Sequence, residues 1–225
     1  MSRIFVPTTG PNDWKRLLAD PEKHWRDGYS AKMLAERWEA ANGFPTEVAR
    51  LLGESGLALF RDAELLLAIP EYQVYLPGGR RPSQSDLFVL ARGAQGLIAM
   101  VVEGKVSEPF GPTVDEWLTQ ESKGRRTRLA YLKEKLGLAD GDLSGIRYQL
   151  LHRAASAVIE AERFGASHAA MIVHSFSASD DCFTDYAAFV GLYGAKAAPG
   201  HLVKVGEPSG VGLYCGWARG STIGA

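Results

Sequence analysis

Cysteine is nearly absent. The 225-residue chain has two, Cys182 and Cys215, too few and wrongly spaced for a disulfide framework or a C-x-x-C pair. They read as ordinary reduced thiols, and no Cys/His spacing suited to a metal is present. An excess of one charge is also lacking. Lys and Arg number 25, Asp and Glu 26, and the net charge is -1. That balance excludes a protein that coats nucleic acid, which is basic overall, but it permits a local basic patch. No apolar run approaches the roughly 18 residues that span a bilayer. The opening MSRIFVPTTGPNDW lacks the apolar core of a signal peptide. A cytoplasmic protein without membrane contact is expected. Internal repeats and low-complexity tracts are missing too.

What is present is an ordinary globular composition, 46% hydrophobic and 23% charged, enough to bury a core without staples. Residues 14–53 read as helical, with Pro21 as a breaker. Ser30 is expected as the N-cap of SAKMLAERWEAA and Gly43 as its stop. Pro45 opens a short helix that Gly53 ends. The period then changes. The apolar runs 65–69 and 72–76 predict one bent strand or two short ones, and PGGRRPSQS predicts a loop. Two further apolar runs, 86–92 and 97–105, flank GAQG and predict a hairpin with a loop at 93–96. Both are apolar on alternating faces, so other layers must cover them. A polar helix is expected over 112–136 and an Ala-rich one from Ile146 onward, with Leu150, Ala154, Ala157 and Ala161 in its stripe. A buried strand at 169–176, a short helix at 186–192 and a hairpin turning at 208–210 complete the chain. The expectation is one α/β domain over 1–225. It has a helical extension (1–29), a core (30–177) ordered α-β-β-β-α-β, and a small α/β tail (178–225).

Three polar residues interrupt the apolar hairpin. If 93–96 is the loop, Arg92 pairs with Leu97, and Asp86 then faces Glu103 across the ladder. Directly opposite Cβ atoms lie roughly 4.5–5.5 Å apart. Lys105, two residues on, shares the face of Glu103. Facing carboxylates repel, and a divalent cation relieves the repulsion. Asp86, Glu103, the Gly104 carbonyl and water make a hard oxygen site suited to Mg²⁺ or Mn²⁺. Such an ion polarises a phosphoryl oxygen and acidifies bound water. Lys105 would orient or help deprotonate that water, or stabilise developing charge. The competing reading is a lysine-neutralised structural cluster at a strand end.

The pattern S-D-(x16)-E-G-K on a hairpin, between a preceding helix and a following helix and strand, resembles the PD-(D/E)XK phosphodiesterase superfamily. The resemblance covers roughly residues 30–177. Ser85 stands where the motif name has Pro. The terminal segments also look similar to an uncharacterised bacterial domain family near this superfamily. The resemblance implies a three-layer αβα sandwich with a mixed central sheet, a restriction-endonuclease-like fold. It implies metal-dependent cleavage of nucleic acid, with DNA as the expected partner and a homodimer as a possible assembly. Asp86 and Glu103 correspond to metal ligands and Lys105 to the catalytic lysine. A further acid from the first helix is implied, and among Glu36, Glu39 and Glu47 the preferred residue is Glu47. A catalytically inactive member that binds nucleic acid or protein is the alternative.

Two further features bear on a polyanion. Gln149 and Arg153, four apart on the later helix, share a face, and superfamily members often place such residues near the metal or phosphate. Within 123–135 there are six cations, among them Arg125, Arg126 and Arg128, against Glu134 alone. This segment carries +5 and the remainder of the chain -6. It is a candidate phosphate-contacting face, or simply a solvated helix face. Arg80 and Arg81 precede Asp86 and could contribute. His174 is expected to have a core or strand-end role.

Overall fold

The computed structural model describes residues 8–120 and 122–220. Residues 1–7, which carry part of the reading of the N-terminus, lie outside the described residues. The first described elements are a 3-10 helix, Pro11–Leu17, and three helices, α1 (Pro21–His24), α2 (Ser30–Ala41) and α3 (Thr46–Gly53). Strands β1 (Glu64–Val74), β2 (Ser83–Gly93) and β3 (Gly96–Lys105) follow. Next come α4 (Val114–Leu118), α5 (Lys123–Lys135), α6 (Tyr148–Phe164), β4 (His168–Ser175), α7 (Phe183–Gly191), β5 (Leu202–Gly206) and β6 (Gly212–Arg219).

Among the described residues the strands form one six-stranded mixed sheet in the order β1-β2-β3-β4-β6-β5. The first three are antiparallel, β4 is parallel to both β3 and β6, and β5 is an antiparallel edge. The chain is therefore an α/β protein. Alternation places Phe88, Val101 and Val173 against Leu150, Ala154 and Val158 of α6 on one face. Val89, Met100 and Ile172 meet Trp38 of α2 and Val48 and Leu51 of α3 on the other. Both faces of the hairpin are dry, as its unbroken apolar runs require. Each large side chain buried this way contributes about 1.5–3 kcal/mol.

Several boundaries depart from the sequence reading. The loop at 93–96 is a two-residue turn at Ala94 and Gln95, because Gly93 and Gly96 themselves pair. The register is nonetheless the expected one, with Arg92 opposite Leu97. The helix expected over 112–136 is two, and Thr113 starts the first with a capping box to Glu116. Ser30 is not an N-cap. Tyr29 holds that position without a side-chain bond, and Glu108 from the loop after β3 accepts the Ser30 amide at 3.2 Å. An acid from elsewhere in the chain thus caps α2 and suits its dipole. Asn42, in the left-handed conformation at φ 47°, ends α2 ahead of Gly43. The tail is part of the sheet, with β6 lying between β4 and β5. No described helix is long and apolar enough to cross a membrane.

One backbone contact fixes the loop after β1 against α5. Gly78 has φ +81°, and a Cβ there would meet the Gly124 oxygen at 2.1 Å. At Gly124 a Cβ would meet the Gly78 oxygen at 2.4 Å. Neither backbone can yield without moving the helix. Gly78→Ala is expected to lower stability by about 1–3 kcal/mol, read as a shift in the urea midpoint. An unchanged midpoint would show that the two segments separate freely.

Candidate active site

β2 and β3 deliver the two acids as the register predicts. The β2–β3 pairing ends at Leu87–Val102, and Asp86 and Glu103 are the next residues on either strand. β1 adds a third acid that the sequence reading missed. Between the pairs Pro70–Leu87 and Tyr72–Ser85, Glu71 stands opposite Asp86. Glu71 has φ 51°, a left-handed conformation that a non-glycine residue adopts at a cost of order 1 kcal/mol or more. Three carboxylates thus lie side by side across three strands. Its signal in the sequence was an acid directly after Pro70 in an otherwise apolar strand. The register shift between Leu65 and Leu67 kept that position from being read by counting.

The three acids have different surroundings. Glu103 is buried and fully engaged. Its Oε1 accepts from Lys105 Nζ at 2.7 Å and Gln149 Nε2 at 2.7 Å, and its Oε2 accepts from Arg153 Nε at 2.5 Å. Burial pushes its pKa up, but Arg153 and Lys105 outweigh this and hold it down, to about 2. Among the described residues Asp86 accepts only the Gly104 amide, at 2.8 Å. Burial raises its pKa to about 7, helped by Glu103. Glu71 accepts from Gln84 Nε2 at 2.8 Å, and burial with the neighbouring Asp86 raises it to about 8. Lys105 is buried, which lowers its pKa, but Glu103 and Asp86 raise it further. It is an ammonium ion at neutral pH and sits 4.9 Å from the centre of the Phe110 ring.

These acids form the floor of a cleft of about 960 Å³. Residues 18–31 form one wall, and 109–112 with Tyr148, Gln149, His152 and Arg153 form the other. The Ala-rich α6 projects Gln149 and Arg153 one turn apart onto Glu103, as their spacing predicts. Behind them Ser83 Oγ lies 2.8 Å from His152 Nδ1, and Arg153 Nη1 donates to Ser83 at 3.2 Å.

Glu47 does not join this site, which corrects the preferred first-helix acid. It lies on the opposite face of the sheet, where its Oε1 is 2.9 Å from His174 Nε2. His174 is fully buried, and its Nδ1 accepts from Trp38 Nε1 at 3.2 Å. Alternation is the reason. Gly104 pairs with His174, and Glu103 with Val173, so His174 points away from Glu103. Glu39 is also elsewhere, accepting from Trp14 Nε1 at 2.8 Å. Glu36 lies 3.8 Å from Lys32.

The basic helix α5 lies beside the far wall, and Arg128 and Arg125 both act on Tyr148. Its heads are tied into the fold. Arg128 donates to the Pro77 oxygen at 2.9 Å and the Leu76 oxygen at 3.1 Å. Arg125 donates to the Trp117 oxygen and to Gln120. Arg126 is exposed.

Does the donor set suit a divalent cation? Among the described residues, no group of three or more His, Cys, Asp or Glu side chains is placed to hold an ion. Mg²⁺ needs less, because it keeps several waters and takes one or two carboxylates plus substrate phosphate. Asp86 and Glu71 are half-buried acids whose pKa values stand high even with Arg153 near both and Lys105 near Asp86. A hard cation supplies further positive charge, so the residues fit.

The same electrostatics gives a pH dependence for the metal-free chain. Unfolded, Asp86 and Glu71 ionise near 3.8 and 4.5. Folded, they hold their protons to about 7 and about 8. Between these limits the folded state binds more protons, so these two groups make stability fall as pH rises. Glu103 has the opposite sign. Its contribution is complete above 4.5 and is lost as pH falls toward 2. In EDTA the denaturation midpoint is expected to be lower at pH 8 than at pH 5. A higher midpoint at pH 8 would contradict the burial of this acid pair.

A family model described as Domain of unknown function (DUF6946) matches residues 7–222. No curated protein and no solved structure matches the chain.

Proposed function

We propose that this chain, which belongs to the DUF6946 family, is a divalent-metal-dependent phosphodiesterase acting on nucleic acid, with DNA as the expected substrate. The observation that carries the proposal is the convergence of Asp86, Glu103, Lys105, Gln149 and Arg153 in one cleft. They come from the strand and helix positions that the PD-(D/E)XK resemblance implies. The element order α3-β1-β2-β3-α4-α5-α6-β4, in which α4 and α5 are inserted before α6, with a β3–β4 parallel pair supports a restriction-endonuclease-like αβα sandwich.

Asp86 would hold Mg²⁺ or Mn²⁺, with Glu71 and Glu103 as the flanking carboxylates of the same cleft. When bound, such an ion polarises the phosphoryl group and acidifies water. The chain's own residues do the rest. Lys105, as an ammonium, places positive charge where the attacked phosphate gains negative charge. Glu103 holds Lys105, Gln149 and Arg153 in a fixed array, so this charge needs no reorganisation. In the reaction a water oxygen forms the new P–O bond. The P–O bond to one sugar oxygen breaks, and the proton of the water ends on that oxygen or in solvent.

A second reading is a non-catalytic binding member of the same fold. It draws on Glu103, whose two oxygens already accept three donors. The deciding experiment is nicking of plasmid and oligonucleotide DNA with and without Mg²⁺ or Mn²⁺. Cleavage that requires the metal and is lost in Asp86→Asn is expected. Equal nicking by the wild type and Asp86→Asn would remove the assignment. A metal-induced rise in melting temperature, larger at pH 8 than at pH 5 because protons and cation compete for Asp86 and Glu71, gives a readout independent of activity.

A further inference from the structure

We infer that the wall formed by residues 18–29, rather than the basic helix α5, grips the nucleic-acid backbone at the cleft. The inference rests on the phosphodiesterase reading above. Lys23, His24 and Arg26 line the cleft and are exposed. The acids of the same segment are engaged elsewhere. Asp20 caps the Lys23 amide at 3.2 Å. Glu22 pairs with Lys15 at 3.0 Å, and Asp27 pairs with Lys32. Arg26 donates only Nε, to the Glu22 carbonyl at 3.1 Å. Among the described residues, neither Lys23 Nζ nor the His24 ring has a carboxylate partner. A segment with three acids and two full cations in sequence thus lines the cleft with Lys23, His24 and Arg26 and not with its acids.

The setting gives that sorting a use. On the floor the two cations, Lys105 and Arg153, are held by Glu103 at 2.7 and 2.5 Å. The exposed cations at the entrance are the ones free to meet a phosphate. The facing stretch 109–112, Pro-Phe-Gly-Pro, carries no charge, and Arg153 on that wall is held by Glu103 at 2.5 Å, so the free cations stand on one side. Tyr29, 41% exposed, stands in the same wall and offers a ring against which an unpaired base can stack. Four of the six α5 cations are less free. Arg125 and Arg128 hold backbone carbonyls, Lys133 holds the Gly141 oxygen at 3.0 Å, and Lys135 holds Glu162 at 2.8 Å. A phosphate would have to displace those bonds.

The test is equilibrium binding in EDTA, where cleavage is blocked. The probe is a fluorescent DNA duplex with a single-stranded tail, titrated from 50 to 200 mM NaCl. Each phosphate contact adds about 0.7 to 0.9 to the slope of log K against log salt. The double variant Lys23→Gln/Arg26→Gln is therefore expected to lower the slope by about 1.4–1.8. It should also bind about tenfold or more weakly at 100 mM salt, with an unchanged melting temperature. Lys133→Gln/Lys135→Gln, an equal loss of charge on α5, should keep the wild-type slope. If the wild type binds, and cuts once metal is added, while Lys23→Gln/Arg26→Gln keeps its slope, the inference is overturned and the phosphodiesterase reading stands. If the wild type neither binds nor cuts, both fall.

Discussion

Glu103→Ala is expected to lower folding stability by about 3–5 kcal/mol. The side chain is 3% exposed and is the shared acceptor for Lys105, Gln149 and Arg153. Lys105 and Arg153 are themselves 4% and 6% exposed. Removing the carboxylate strands two buried cations beside each other, each without its main counter-ion. The cost therefore includes their desolvation and mutual repulsion as well as the lost bonds. Urea unfolding should show a lower midpoint with an unchanged slope. Glu103→Gln keeps an acceptor oxygen but no charge, and should fall between the wild type and Glu103→Ala. A midpoint for Glu103→Ala within about 1 kcal/mol of wild type would mean that the cluster is wetter than its burial indicates.

Lys105→Met should separate chemistry from folding. Loss of one group that stabilises transition-state charge costs about 10²- to 10³-fold in rate, and cleavage should fall by at least that much. Stability should change little. Glu103 keeps Arg153 and Gln149, and a methionine can pack on the Phe110 ring that the lysine now crosses. Removing one member of a buried ion pair is costly when its partner is left uncompensated, but here Glu103 keeps Arg153 at 2.5 Å, so the loss should stay well below that of Glu103→Ala. Single-turnover cleavage at saturating metal, set beside a melting curve, checks both halves. Cleavage within a factor of about three of wild type would remove Lys105 from the mechanism, since the effect expected of such a group is far larger.

The two variants together also distinguish the competing readings. A lysine-neutralised structural cluster predicts a stability loss at Glu103 and no catalytic consequence at Lys105. The phosphodiesterase predicts both effects, and assigns them to different residues.

Local pattern was sufficient for much of the protein. Alternating apolar runs with a short Gly-bounded turn determine the hairpin, because side chains alternate faces and two glycines admit a tight reversal. The register follows from that turn, and it places Asp86, Glu103 and Lys105 at one end of the hairpin. The 3.6-residue period placed Gln149 and Arg153 on one face of α6, where both meet Glu103. Uncovered apolar faces required helices on both sides of the sheet. The near-neutral composition, with one segment of +5, opposed a protein that coats nucleic acid and permitted a polyanion on one face.

Tertiary structure decided the rest, because these features depend on contacts between residues far apart in the chain. Glu71 joins the acids only because β1 pairs with β2 past an irregularity that no local pattern reveals. Glu47 leaves the site because α3 packs on the opposite face of the sheet, against His174. Charge in sequence does not say where a head group ends. Arg125 and Arg128 of α5 are drawn onto backbone carbonyls of α4 and of the loop after β1, whereas Lys23 and Arg26 line the cleft. The sequence by itself determined which chemistry could be assembled on the hairpin. The packing of distant segments determined which acids, and which cations, stand around it.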